Sequence, residues 1–215
     1  MRKKQQSSQK NRWDDHYARK ARKENFSARS VYKLQEIQDK YRLIQEGDRV
    51  LDLGCAPGSW LQYTAKLVGS NGQVVGIDKK AVSLKLPSHV TVHMGDIFSI
   101  DAVMVDEPVS GFDAVLSDMA PDTTGNKVVD AARSLDLCTA AFVLANKYLK
   151  PDGAFVCKIF QGEDFKLFSD SIRKCFKIHK IFKPQSCRKA SKEIYIIGRG
   201  KKQEEECPDT ANGQP

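Results

Sequence analysis

The stretch RVLDLGCAPGSW, Arg49 to Trp60, decides the architecture. Arg49 to Leu53 is a short β-rich run, and Trp60 to Val68 carries the apolar spacing of a helix. Between them lies a turn with two glycines, Gly54 and Gly58, whose lack of a side chain lets the backbone approach a ligand closely. A strand that ends in such a turn and opens a helix is the ligand-binding end of a βαβ unit. Working outward, β-rich runs recur at Gln73 to Ile77, Val90 to His93, Asp113 to Ser117, Ala154 to Lys158, Ile178 to Phe182 and Glu193 to Gly198. Helical patterns fall at Ser30 to Gln38, Asp130 to Leu149 and Asp164 to Phe176, with Pro151, Asp152 and Gly153 expected as a turn closing the longest of them. The expected fold is therefore α/β and Rossmann-like, with a mostly parallel seven-stranded sheet and a final antiparallel strand.

Four successive strands end at an aspartate: Asp52, Asp78, Asp96 and Asp118. Any one of these suits turn chemistry. Four in order, followed by a strand ending in Lys158, predict one acidic crevice beyond the carboxyl ends of the strands. The turn itself is neither G-x-G-x-x-G nor the phosphate-cradling G-x-x-x-x-G-K-[ST]. An acid at its lip repels a pyrophosphate and attracts an ammonium or sulfonium, which favours S-adenosylmethionine over NAD or ATP. Asp78 is then placed for ribose hydroxyls, as acidic residues at this position usually are, and Asp96 for the adenine amino group. Trp60 either packs near the cofactor or staples the helix to the sheet.

The segment S-D-M-A-P, Ser117 to Pro121, lacks the aromatic of the [ND]-P-P-[YF] element found in amine methyltransferases. A hydroxyl acceptor needs a base instead. Lys158, flanked by Ala154, Phe155, Val156, Ile159 and Phe160, does not read as a solvated surface charge. A lysine gives up its proton at neutral pH only with help from burial or a second cation. Lys33 could be that cation, with Asp118 orienting the ammonium. If the last strand runs antiparallel, its first residue, Glu193, arrives at the same edge.

Charge narrows the substrate. Through Lys33 the chain carries eleven basic against three acidic side chains, which is the whole net charge of +8; the rest holds 24 of each sign. A basic arm with Trp13, Tyr17 and Phe26 suits an RNA backbone with unpaired bases, and equally a solvated tail. We expect an RNA-binding arm over residues 1–28, a catalytic domain over 29–202 and a disordered tail over 203–215. No apolar run approaches the roughly 18 residues of a membrane span, and no signal-type block stands near Met1, so a cytoplasmic protein with no membrane contact is expected. The six cysteines form no C-x-x-C pair and read as reduced thiols, with no metal site.

These residues resemble the FtsJ/RrmJ family of ribose 2′-O-methyltransferases. The likeness spans nearly the whole folded part, in A-R-S-V-Y-K-L-Q-E-I (Ala28 to Ile37), D-L-G-C-A-P-G-S-W, S-D-M-A-P, K-I-F-Q-G (Lys158 to Gly162) and S-K-E-I-Y (Ser191 to Tyr195). Cys55 and Ser59 stand where Ala and Gly are common in the family. The resemblance implies a catalytic tetrad at Lys33, Asp118, Lys158 and Glu193, and S-adenosyl-L-methionine contacts at Gly58, Trp60, Asp78, Asp96 and Asp118. The compact bacterial members look most similar, which implies a uridine ribose in the A-loop of 23S rRNA on the assembled large ribosomal subunit, and a monomeric enzyme. The tetrad does not choose the RNA, so a tRNA ribose methyltransferase stays open. So does a non-catalytic ribosome-assembly protein, although a binding module has no need of a buried lysine flanked by acids.

Overall fold

The computed structural model describes residues 16–102, 111–188 and 190–203. The basic residues Arg2, Lys3, Lys4, Lys10, Arg12 and Lys189, the aromatic Trp13, and nearly all of the expected C-terminal tail lie outside the described residues.

Seven strands form one sheet: β1 (Arg49–Leu53), β2 (Gln73–Asp78), β3 (Val90–Met94), β4 (Phe112–Ser117), β5 (Leu149–Phe160), β6 (Phe176–Phe182) and β7 (Glu193–Lys201). Their order is β3-β2-β1-β4-β5-β7-β6. Strands β1 to β5 pair in parallel, while β7 runs antiparallel to both neighbours. The order reverses between β1 and β4, and in open α/β sheets a ligand binds at that switch point, beyond the carboxyl ends.

Helix α1 (16–23) precedes α2 (Val31–Tyr41), α3 (Ser59–Val68), α4 (Lys127–Tyr148) and α5 (Phe165–Cys175). Alternation along the strands divides the interior in two. Leu51, Leu53, Val115 and Phe155 face α4 and α5. Val50, Leu116, Val156 and Tyr195 face α2 and α3. Burial on both faces explains why all five residues of β1 are buried, Asp52 included.

Three elements differ from the sequence expectation. The folded unit reaches upstream of residue 29, because Ala21 and Phe26 pack with Val31 and Tyr32 in a third apolar cluster. Residues 151–153 do not close α4. They bulge inside β5, where Phe112 pairs with Leu149 and Ala114 with Ala154, and Asp152 takes a left-handed φ of 64°. Helix α4 instead stops at Tyr148, where the Lys201 ammonium of β7 binds the carbonyls of Asn146 and Leu149. Finally, Cys175 is disulfide-bonded, whereas Cys55, Cys138, Cys157 and Cys187 are free and buried. Among the described residues no helix is long and apolar enough to cross a membrane.

Candidate active site

Register builds the site. Ser117 pairs with Cys157, so Asp118 arrives level with Lys158; across β5 and β7, Lys158 pairs with Tyr195 and Phe160 with Glu193. A period of two then places Lys158, Tyr195 and Glu193 on the face covered by α2, which carries Lys33. The structure thus brings together the four residues singled out for catalysis. Lys158 Nζ lies 3.0 Å from Asp118 Oδ1 and also donates to the Asp118 carbonyl. Lys33 Nζ stands 3.1 Å from Glu193 Oε1 and 3.9 Å from Asp118 Oδ1. Side-chain exposures of 6% for Lys158 and 12–14% for the others keep these charges largely out of water, where they act strongly on one another.

Burial works against the charge of Lys33, but the carboxylates of Asp118 and Glu193 outweigh it and hold the ammonium above its ordinary value. Asp118 shows the converse. Burial alone would raise its carboxyl; Lys158, Lys33 and the hydroxyl of Tyr195 overcome that and hold it below the usual range. The centre is therefore an ionised Asp118 between two lysines. Tyr195, which sequence reasoning passed over, is fully buried and donates to Asp118 Oδ1 at 2.5 Å. Its signal was available: it stands two residues from Glu193 and so shares its face.

Beside the tetrad opens a cleft of about 500 Å³, lined by Gly54, Ala56, Asp78, Asp96 and Asp118 and by the apolar Ile77, Ile97, Phe98, Met119, Pro121 and Leu137. Asp78 accepts from the amides of Ala56 (2.9 Å) and Lys80 (2.8 Å), bracing the turns on either side. Asp96 accepts from the Phe98 amide at 3.1 Å and pairs with Lys79 at 2.9 Å, and these two partners hold its carboxyl below the usual range. With side chains 64% and 37% exposed, the Lys79–Asp96 pair is easily exchanged for a ligand contact. Neither Lys79 nor Phe98 carried a sequence signal, since their place depends on how two loops meet.

Two of the expected cofactor residues do not line this cleft. Trp60 is 3% exposed, donates Nε1–H to the Ser30 carbonyl (2.9 Å) and stacks on Tyr195 at 6.0 Å and 28°. Of the two roles left open for it, its side chain fills the staple. Gly58 lies under Val82 and Leu84; a Cβ there would meet Leu84 Cδ1 at 2.5 Å. Gly54 does face the cleft, with φ +77° and room for a Cβ only 2.2 Å from Met119 Cγ. Gly54→Ala should therefore lower stability by about 1–3 kcal/mol through strain and crowding combined. Denaturant unfolding would show this, and an unchanged midpoint would mean the turn can relax.

The donor set fits a cation-bearing nucleoside. Asp52 is fully buried and neither of its carboxylate oxygens has a hydrogen-bond partner. A buried, unpartnered acid is costly unless a cation or donor meets it. Its surroundings are acidic too, and burial followed by repulsion from Asp118 and Asp78 pushes its carboxyl well above the usual range. Asp52 lies behind the wall of the cleft rather than on it, so a ligand whose ammonium and sulfonium sit against the lining acids Asp78 and Asp118 would offset that repulsion, while the apolar wall suits an aromatic base. A cavity of this size also falls in the range for small-molecule sites.

Fold and site together define a Rossmann-like methyltransferase domain. A sequence model of the FtsJ-like methyltransferases matches residues 26–201, and the chain belongs to that family. It is 56% identical over 193 residues to ribosomal RNA large subunit methyltransferase E of Desulforapulum autotrophicum, covering 90% of this chain and 95% of that one. The protein of the same name from Bdellovibrio bacteriovorus is 46% identical, over 87% and 97%. Among solved structures, a ribosomal RNA methyltransferase from Plasmodium falciparum superposes with a TM-score of 0.68 at 25% identity, over 82% of this chain and 98% of the other. An Aeropyrum pernix fibrillarin with natively bound S-adenosyl-L-methionine gives 0.61 at 17% identity, over 79% and 76%, and shares the fold alone.

Proposed function

We propose that this methyltransferase transfers a methyl group from S-adenosyl-L-methionine to the ribose 2′-hydroxyl of a uridine in the A-loop of 23S rRNA, on the assembled large ribosomal subunit. The observation that carries the reading is the buried convergence of Lys33, Asp118, Lys158 and Glu193 beside an acidic cleft. The substrate class is supported by the printed name of the similar bacterial proteins. When bound, the cofactor supplies a methyl group already activated on a sulfonium. Asp78 would hold its hydroxylated part, Asp96 and the apolar wall its base, and Asp118 the edge nearest the acceptor, while the buried charge of Asp52 behind the wall would favour its cationic part; Gly58 and Trp60 would shape the turn beneath. Lys158, once it has lost its own proton to become the neutral amine, then takes the proton of the 2′-hydroxyl as the oxygen attacks. Asp118 holds that amine in line, and Lys33, anchored by Glu193, supplies the second positive charge.

RNA would approach over the same edge. The loop from residue 183 to 192 carries Lys183, Arg188 and Lys192, and it is clamped to α2 by Glu36, which accepts from the Ser186 amide (2.8 Å), and to the turn before α2 by Arg29, which donates to the Ser186 carbonyl (2.8 Å). Lys180 on β6 extends that surface, and the basic residues before His16 would add their charge to RNA binding. The chain would act as a monomer in the cytoplasm, where large subunits are assembled.

Deleting the residues before His16 removes five basic side chains and spares α1. Binding to 23S rRNA should weaken, and the slope of log K against log salt should flatten by up to about three to four units. An unchanged slope would make the arm a passive tail. The function itself is tested by transfer of labelled methyl to large subunits, naked rRNA and tRNA. Label on a ribose of subunit rRNA supports the reading, label on tRNA alone moves the substrate, and cofactor binding without any transfer defeats it in favour of an assembly factor.

A further inference from the structure

One oxygen sits at the hub of the tetrad. Asp118 Oδ1 receives the Tyr195 hydroxyl at 2.5 Å and Lys158 at 3.0 Å, with Lys33 at 3.9 Å. Tyr195 is fully buried, and its ring is pinned on one side by Trp60, whose indole is fastened to the Ser30 carbonyl at the start of α2, one turn before Lys33. The hydroxyl therefore has a fixed direction, and an ionised acceptor makes the hydrogen bond a strong one. Electron density that Asp118 Oδ1 shares with Tyr195 is withdrawn from the Lys158 ammonium.

We propose that Tyr195 is a positioning residue for methyl transfer: by donating to Asp118 it sets how firmly Asp118 holds the Lys158 ammonium, and hence the pH at which turnover rises. The inference rests on the reading of Lys158 as the base. Tyr195 is suited to the task because burial, followed by the charges of Asp118 and Glu193, keeps its phenol protonated far above neutrality, so it remains a donor throughout. Among the described residues, the ionisable groups acting on this centre are Lys33 from α2, Asp52 from β1, Asp118 after β4, Glu193 from β7, Cys187 from the preceding loop and Cys157 beside Lys158 on β5, whose thiol burial keeps neutral. Burial and Glu193 push the Cys187 thiol up to about 12, so it stays neutral in the working range. Lys33 and Asp118 stay charged there.

Tyr195→Phe keeps the ring against Trp60 and removes one oxygen. Losing a hydrogen bond to a charged group should lower kcat at neutral pH about tenfold. The sign follows from the geometry: Asp118 then grips the ammonium harder, so the acid limb of the kcat profile moves up by about one pH unit. KM for S-adenosylmethionine should stay the same. The ε-methylene of Lys158, followed by carbon NMR, should titrate at higher pH in the variant, which needs no RNA acceptor. Incorporating 3-fluorotyrosine at 195, a stronger donor of nearly the same size, should move the limb the other way and guards against a folding defect in Tyr195→Phe. A kcat that falls equally at all pH values, or an NMR titration that does not move, would overturn the proposal and leave Tyr195 a packing residue. Lys158→Ala measured alongside separates the two readings: full turnover in that variant defeats Lys158 as base, whereas its loss with an unmoved Tyr195→Phe profile defeats only the role of Tyr195.

Discussion

Lys158→Ala is expected to lower single-turnover methyl transfer by about 10² to 10⁴-fold while S-adenosylmethionine binding is retained. The size follows from dividing the chemistry. Holding a ribose oxygen in line with an activated methyl group supplies the larger share, on the order of 7–11 kcal/mol, and that share belongs to the cleft walls and the RNA surface. On the proposed reading Lys158 supplies the smaller share by accepting the proton, and its exposure of 6% leaves no room for a solvent base to take its place freely. Lys158→Arg should fail almost as badly, since a guanidinium keeps the positive charge near Asp118 but does not release a proton in the working range. Cofactor binding measured by calorimetry shows whether the cleft survives. Transfer at the wild-type rate in Lys158→Ala would remove Lys158 from the role of base and leave positioning alone to explain the reaction.

Asp52→Asn should separate stability from binding, with opposite signs. In the folded chain the Asp52 carboxyl is buried and without a partner, and its proton is held more tightly than in the unfolded chain. The contribution of Asp52 to stability is therefore greatest at low pH and is lost as pH rises from the ordinary carboxylate value near 4 through the raised value in the fold. Asparagine carries no charge to desolvate, so the ligand-free variant should be more stable at neutral pH by about 1–3 kcal/mol. That advantage should vanish near pH 4, where the aspartate is protonated too. With the acid gone, the cofactor's cation loses its counter-charge, and affinity for S-adenosylmethionine should fall by about ten- to a hundredfold. Thermal unfolding with and without cofactor reads both effects. A variant that is less stable without ligand would show that Asp52 is already satisfied in the fold; unchanged affinity would show that it does not meet the cofactor.

Much of the site was legible because its signals are local or follow from one topological rule. The stretch from Arg49 to Trp60 announces a strand, a ligand-facing loop and a helix within twelve residues. The placement of Glu193 beside Lys158 needs only an antiparallel last strand, and the register of β5 with β7 supplies it. Trp60 was ambiguous for a definite reason: a large aromatic at the start of a helix can turn toward a ligand or toward its neighbours, and the choice falls to Ser30 and Tyr195, 30 and 135 residues away in the chain. The packing of residues upstream of 29 was not legible because a stretch so rich in cations conceals the few apolar residues, Ala21 and Phe26, that pack against Val31 and Tyr32.

What the sequence determined by itself is the alternation of strands and helices, the acidic strand ends and the expectation that Lys33, Asp118, Lys158 and Glu193 meet at one sheet edge, since these depend on periodicity and on the order in which elements follow one another. The tertiary structure alone decided that Asp52 is left without a partner, that Tyr195 bonds Asp118, that Gly58 is covered by Val82 and Leu84, and that Trp60 is a staple. Each of these rests on contacts between side chains from separate elements at distances of a few ångströms, and close packing fixes such contacts only once the whole sheet and its helices are assembled.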